Sequence, residues 1–196
     1  MGQKFTAFDS NGAITAFYDS VDSPVPAGVS NVIEITQEEW QTCLSQPGRW
    51  YVSNGALAQV PPPSAAQQLA SEQAIQSAAI DAAYAAAIQQ PVSFTTAAGV
   101  TTTYQADAAS QTLLMQATQG YTIAGEVPAG FYWKAADNSL VTFTLADLRG
   151  LYSATLAQGW TAFRKRTALK QQIAAVSIGS GTIDQALAAV KAIGWD

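Results

Sequence analysis

Residues 131–173 read FYWKAADNSLVTFTLADLRGLYSATLAQGWTAFRKRTALKQQI, and this stretch decides the fold. Asp137-Asn138 stands between two short runs of aromatic and β-branched residues, Phe131-Tyr132-Trp133 and Leu140-Val141-Thr142-Phe143, the pattern of a tight two-stranded turn. Thr144 follows directly. Its hydroxyl is placed to accept a free amide of a helix whose first turn holds Asp147, where negative charge suits the helix dipole. One unbroken helix is predicted from there to Ile173. At about 100° per residue, Leu145, Leu148, Leu151, Tyr152, Leu156, Trp160, Phe163, Leu169 and Ile173 spread over an arc of ~180°, wider than packing on one neighbour requires. Burial on more than one side is expected.

Downstream, Ser177-Ile178-Gly179-Ser180-Gly181 reads as a flexible break, after which Thr182 caps a last helix bearing Leu187, Val190 and Ile193. Trp195 is expected to be pinned against a core, because leaving so large a ring in water forfeits its burial. Upstream, residues 92–96 and 100–105 are Thr-rich strands about Ala98-Gly99, suited to a half-exposed hairpin. Asp107 begins a helix to about residue 119, with Gly120 at the position that wants a left-handed turn.

Earlier still, Ser64 caps a segment to about residue 89 that is more than half Ala and Gln, with Leu69, Ile80, Tyr84 and Ile88 as its large apolar positions. Alanine makes this helix intrinsically strong. Its small side chains allow another backbone to lie close, either within its own domain or in a bundle of several copies. The missing seven-residue repeat favours the first.

Pro61-Pro62-Pro63 marks the boundary, since three prolines join neither a helix interior nor a sheet ladder and hold a stiff extended spacer. Before it, residues 4–8 and 14–18 flank Ser10-Asn11-Gly12, and residues 49–52 and 56–60 flank Asn54-Gly55, two hairpin signals. Ile33-Glu34-Ile35 is a further strand. Thr36 with Glu39 has capping-box spacing, opening a helix with Trp40, Cys43 and Leu44 on one face until Pro47-Gly48. The expected architecture is α+β: a β-rich module over residues 1–60, a linker over 61–63, and a module over 64–196 of β-hairpins packed on long helices.

Composition excludes several function classes. Among 196 residues, 12% are charged and 48% hydrophobic, yet no run of about 18 large apolar residues exists, so membrane insertion is not expected. No apolar signal core follows Lys4, and no secretory signal is expected. There is no histidine and one cysteine, Cys43. This leaves no ligand set for zinc, haem or iron–sulfur and removes the commonest general base. No metal, cofactor or catalytic residue is expected. A net charge of −5 argues against nucleic acid, whose phosphates demand a basic surface.

Residues 91–195 resemble a small domain of unknown function that recurs in tailed-phage proteins, often near tail-fibre genes. The matching parts are the Thr-rich strands, the helix start at Asp107 to Gln111, Trp133-Lys134-Ala135-Ala136-Asp137-Asn138, the long helix with Phe163-Arg164, the short last helix and Trp195. Through FTAFDSNGAITAFYD, ITQEEW and WYVSNGALAQVPPP, the first 60 residues resemble the β-rich N-terminal part of phage tail-fibre assembly proteins. The resemblance implies a virion (tail) protein made in the bacterial cytoplasm. Its implied partners are tail-fibre, baseplate or other tail proteins, or further copies of itself. It implies assistance with fibre assembly and, in some phages, a place on the mature fibre touching the host surface. It supplies no catalytic residues.

Arg164-Lys165-Arg166 with Lys170 is the only basic cluster. A solvated face is the plainer reading, but Arg166 and Lys170 fall near the face of Leu148, Tyr152 and Phe163, so either they snorkel out to water or something receives their charges, for which an acidic partner surface or a glycan phosphate would serve. The candidate partner-binding residues are Arg164, Arg166, Lys170, Tyr152, Ile80 and Tyr84. Reversing Arg166 and Lys170 is expected to leave folding near normal while abolishing incorporation into particles. Of the five tryptophans, Trp40, Trp133, Trp160 and Trp195 read as core; Trp50, with Tyr51, is the candidate glycan contact. Asp9, Asp19 and Asp22 sit at hairpin ends, ordinary places for aspartate, and are not expected to form a carboxylate pair for catalysis.

Overall fold

Turn chemistry and helix caps set most of the element boundaries. The computed structural model describes residues 2–196, with five helices and nine strands among them, an α+β fold. The chain divides into two compact units at Pro63/Ser64.

In the first unit, β1 (Lys4–Phe8) is the centre of an antiparallel sheet of order β2-β1-β3, flanked by β2 (Ile14–Asp19) and β3 (Val32–Ile35). Asp9 holds the first turn by accepting the amides of Asn11 and Ala13 at 2.8 and 2.9 Å. Gly12 is required there: its φ is +81°, and a Cβ would lie 2.2 Å from the Val52 carbonyl oxygen. Helix α1 (Gln37–Ser45) opens with the Thr36–Glu39 capping box and packs on β1. A second hairpin joins β4 (Trp50–Ser53) to β5 (Ala56–Gln59) through Asn54 and Gly55, both at positive φ. Thr6, Ala7, Ile35, Cys43 and Val52 are buried.

The second unit begins with α2 (Ala65–Ala87), whose capping box pairs Ser64 with Gln67. Two hairpins follow, β6 (Val92–Thr95) with β7 (Thr101–Tyr104), and β8 (Tyr132–Lys134) with β9 (Leu140–Thr142); α3 (Ala108–Ala124) lies between them in sequence. Helix α4 (Leu145–Ala175) is 31 residues long, about 46 Å at 1.5 Å per residue. Helix α5 (Ile183–Lys191) ends the order.

α4 runs through two separate cores. Its first turns supply Leu148 and Leu151 to a cluster with Val92, Tyr104, Leu114, Val141 and Phe143, where the rings of Tyr104 and Phe143 meet edge-on at 5.3 Å. Its last turns supply Ile173 to a second cluster with Leu69, Ile80, Ala186 and Val190, against which Leu169 and Trp195 pack. Burial on more than one side is thus seen at the two ends, not along the whole arc.

One boundary differs from expectation. α3 continues through Gly120 to Ala124, and Gly125, at φ +86°, is its left-handed cap. The extra turn is held because Tyr121 packs edge-on against Phe131 at 5.1 Å, a contact made only once the second hairpin is folded.

Glutamines satisfy helix ends that lack a left-handed glycine cap. Gln73 of α2 donates to the carbonyls of Ile173 and Val176 at the end of α4, at 2.9 and 3.0 Å. Gln158 of α4 donates in return to those of Ala87 and Gln90 at the end of α2, at 3.2 and 2.8 Å. Ile173 and Ala87 also accept the amides of Val176 and Gln90 in the closing turns, both at 3.3 Å, and the glutamines add a donor where the helix ladder runs out, so the two helices cap each other.

Candidate docking surface

Between its two cores α4 is covered on one side only. Ala162 is buried and α2 packs alongside, but Leu156, Trp160 and Phe163 are 56%, 60% and 41% exposed. The rings of Trp160 and Phe163 stack on each other, centroids 5.7 Å apart and planes at 18°, so the pair forms one rigid apolar ridge. An open groove of about 830 Å³ runs along it, with Tyr84, Met115, Tyr152, Leu156 and Gly159 among its walls. On the other flank, Arg164 and Lys165 line a groove of about 630 Å³ with the same two rings. Contiguous exposed apolar surface of this kind makes the ridge a candidate interaction site.

The structure corrects several of the expected partner contacts. Ile80 is 1% exposed and is not a surface residue: the small side chains of α2 bring that helix close to α4 and α5, and Ile80 fills the space. Arg166 and Lys170 do not await an outside acid. Both are held by Asp81 of α2, Arg166 Nε to Oδ1 at 2.5 Å and Lys170 Nζ to Oδ2 at 2.8 Å. Hydrogen bonds from Lys170 and then Arg166 hold the Asp81 carboxyl below its usual range. The guanidinium of Arg166 also lies over the ring of Tyr84, 5.4 Å from its centroid, so half-buried Tyr84 is engaged from within the chain. Tyr152, half-buried, packs against the hairpin core and lines the groove. Arg164 is exposed and has no ion-pair partner among the described residues. Lys165 sits over the ring of Trp195 at 5.2 Å.

Trp160 is the second correction: it is not a core residue, because its level on α4 falls between the two clusters. Trp50 and Tyr51 are half-buried. They line a cleft of about 320 Å³ with Phe17, Leu44, Pro47 and Val60 among its walls. The one signal of the exposed ridge in the sequence is the width of the apolar arc, which exceeds what two end clusters can cover.

The aspartates of the first unit are turn and ion-pair residues. Asp19 pairs with Lys4 and accepts the amides of Val21 and Asp22, which together hold its carboxyl down at about 2. An acid that strong stays ionised and cannot donate a proton near neutrality. Among the described residues no group of three or more His, Cys, Asp or Glu is arranged to hold a metal ion, and no helix is long and apolar enough to cross a membrane.

The family described as Domain of unknown function (DUF4376) matches residues 70–192, well over half of the 196. The chain belongs to this family. The match takes in nearly all of the second unit, including the ridge, the first core and the second core apart from Leu69 and the flanking Ile193 and Trp195, and leaves the first unit outside. No curated protein and no solved structure matches the chain.

Proposed function

We propose that this DUF4376 member is a structural or accessory protein of a phage tail that binds tail-fibre or baseplate proteins within the virion, and that it works by docking and not by catalysis. The observation that carries the docking is the stacked Trp160–Phe163 ridge on a helix anchored at both ends. A rigid aromatic pair loses little conformational freedom on binding, which is why aromatic residues concentrate at the centres of interfaces. Arg164 and Lys165 beside the ridge favour an acidic partner and set orientation and encounter rate more than affinity. The tail setting is supported by the resemblance of the first 60 residues to tail-fibre assembly proteins.

In washed particles of the phage that carries the gene, mass spectrometry is expected to find this chain, and Trp160→Ala with Phe163→Ala to remove it. Particles that lack the wild-type chain while fibres still depend on it would make it a chaperone that leaves. A second reading, a host-glycan contact at Trp50 and Tyr51, is supported by the cleft both residues line. It requires binding to host lipopolysaccharide that weakens in Trp50→Ala.

A further inference from the structure

The groove beside the ridge is a valley between two helices of the second unit. Thr122, near the end of α3, accepts a hydrogen bond from Arg149, near the start of α4, at 3.2 Å. Ala108, at the start of α3, lines the groove with Phe163, so the two helices run antiparallel. Ala108, Thr112 and Met115 form one wall and Tyr152, Leu156, Gly159 and Phe163 the other, spaced by four and three residues as one helix face requires. From Tyr152 to Phe163 the valley runs for about 16 Å, or about three turns. The polar side chains of its walls are engaged within the unit: the hydroxyls of Thr112 and Thr155 donate to the carbonyls of Ala108 and Leu151 at 2.8 and 3.0 Å, and Gln111 donates to those of Ile88 and Ala106 at 2.8 and 2.7 Å. Among the described residues, none that lines the groove is charged, and α3 carries no charge. Free charge stands at one end, where Arg164 and Lys165 follow Phe163 and are exposed. Asp107, which caps α3, spends its carboxylate on the amides of Ala109 and Ser110 and the hydroxyl of Ser110.

We propose that this groove takes one amphipathic helix of a tail protein, its apolar stripe laid between α3 and α4 and its acidic turn at the Phe163 end, against Arg164 and Lys165. The walls select each feature of that occupant. A strand has nothing to pair with there, because backbone groups inside a helix are spent on the helix's own ladder. A sugar needs free hydrogen-bond donors, and those of Thr112, Thr155 and Gln111 are taken. What the valley offers is apolar surface along its length, which a helix covers with anchors at i, i+3, i+4 and i+7. Cations at one end, with Asp107 turned to the amides of its own helix, attract an acidic turn and repel a basic one, so charge fixes the direction in which the helix lies. This rests on reading the ridge as a docking surface.

A pair of synthetic peptides of about 18 residues, long enough to form a helix, tests it. Both carry a leucine stripe at helical spacing on an alanine background, and they differ only in the turn at one end, glutamate in one and lysine in the other. By fluorescence anisotropy, the glutamate peptide is expected to bind the full chain about tenfold more tightly than the lysine peptide, and circular dichroism should show it gaining helix as it binds. Nothing lies within 4 Å of a Cβ at Gly159, so Gly159→Leu fills the groove without disturbing the fold; its melting temperature should not fall, while its affinity for the glutamate peptide should drop about tenfold or more. Arg164→Glu with Lys165→Glu should reverse the preference between the peptides. Equal binding of the two peptides by the wild type overturns the inference, and so does undiminished binding by Gly159→Leu, or failure of both peptides to bind at about 1 mM. If one of these is found while Trp160→Ala with Phe163→Ala still strips the chain from particles, docking to tail proteins stands and only the helical occupant falls.

Discussion

Asp147, in the first turn of α4, accepts the backbone amide of Ala97 at 2.7 Å across 50 residues of sequence. The same carboxylate accepts the amide and hydroxyl of Thr144, at 2.8 and 2.6 Å. One buried side chain therefore starts the long helix and locks it to the β6–β7 turn. Asp147→Ala removes the acceptor of the Ala97 and Thr144 amides and is expected to cost about 1–3 kcal/mol, read from urea unfolding. Asp147→Asn is expected to cost less.

Acid should expose the same dependence. Burial by itself raises the pKa of Asp147, but the hydrogen bonds from Thr144 and Ala97 outweigh it, and the net shift is downward. Asp19 is lowered from 3.8 to about 2, chiefly by Lys4. A folded-state pKa below the unfolded one contributes stability that is fully present above the unfolded value and lost as pH falls through the folded one. The melting temperature should hold from neutrality to about pH 4 and then fall toward pH 2; in Asp147→Asn the fall should be shallower.

Two glycines of α4 should respond in opposite ways to alanine. A Cβ on Gly150 would meet the ring of Phe94 at 2.8 Å, whereas nothing lies within 4 Å of one on Gly159. Gly159→Ala is expected to stabilise by about 0.5–1 kcal/mol through helix propensity alone. Gly150→Ala is expected to destabilise by about 1–2 kcal/mol despite that gain, because the Phe94 ring that must shift packs against Tyr104 and Phe143, centroids 6.4 and 6.1 Å away. Equal effects in thermal melts would contradict this packing.

Reversing Arg166 and Lys170 to glutamate is expected to lower stability, contrary to the expectation from sequence, because it sets two carboxylates beside that of Asp81. The loss should shrink as salt is added, the sign of a charge effect at a partly exposed site. A melt unchanged at low salt would show that Asp81 is not their partner.

Ile80→Ala is expected to cost about 2–5 kcal/mol by leaving a cavity in the second core. Trp160→Ala should stay within about 0.5 kcal/mol of the wild type, since an exposed ring loses little. The larger side chain is thus the dispensable one for folding and, on the proposed reading, the indispensable one for docking.

The elements were legible in the sequence wherever the cause is local. Asn54-Gly55 and Asp137-Asn138 make turns by backbone preference, and Thr36, Ser64, Thr144 and Thr182 cap helices by hydroxyls that reach only three residues ahead. Three prolines divide the chain whatever surrounds them. Tertiary structure decided what each face meets. Periodicity places Ile80 and Trp160 alike on apolar stripes, yet one fills a core and the other stands in water, because burial depends on which helices converge at that level. Gly120 and Gly125 compete as caps, and Tyr121 on Phe131 selects the second. The partner of Arg166 and Lys170 is Asp81, 85 and 89 residues away, and the ends of α2 and α4 are closed by each other's glutamines. Such pairings exist only after α2 is laid against α4, and a local reading of residue types cannot see across that distance.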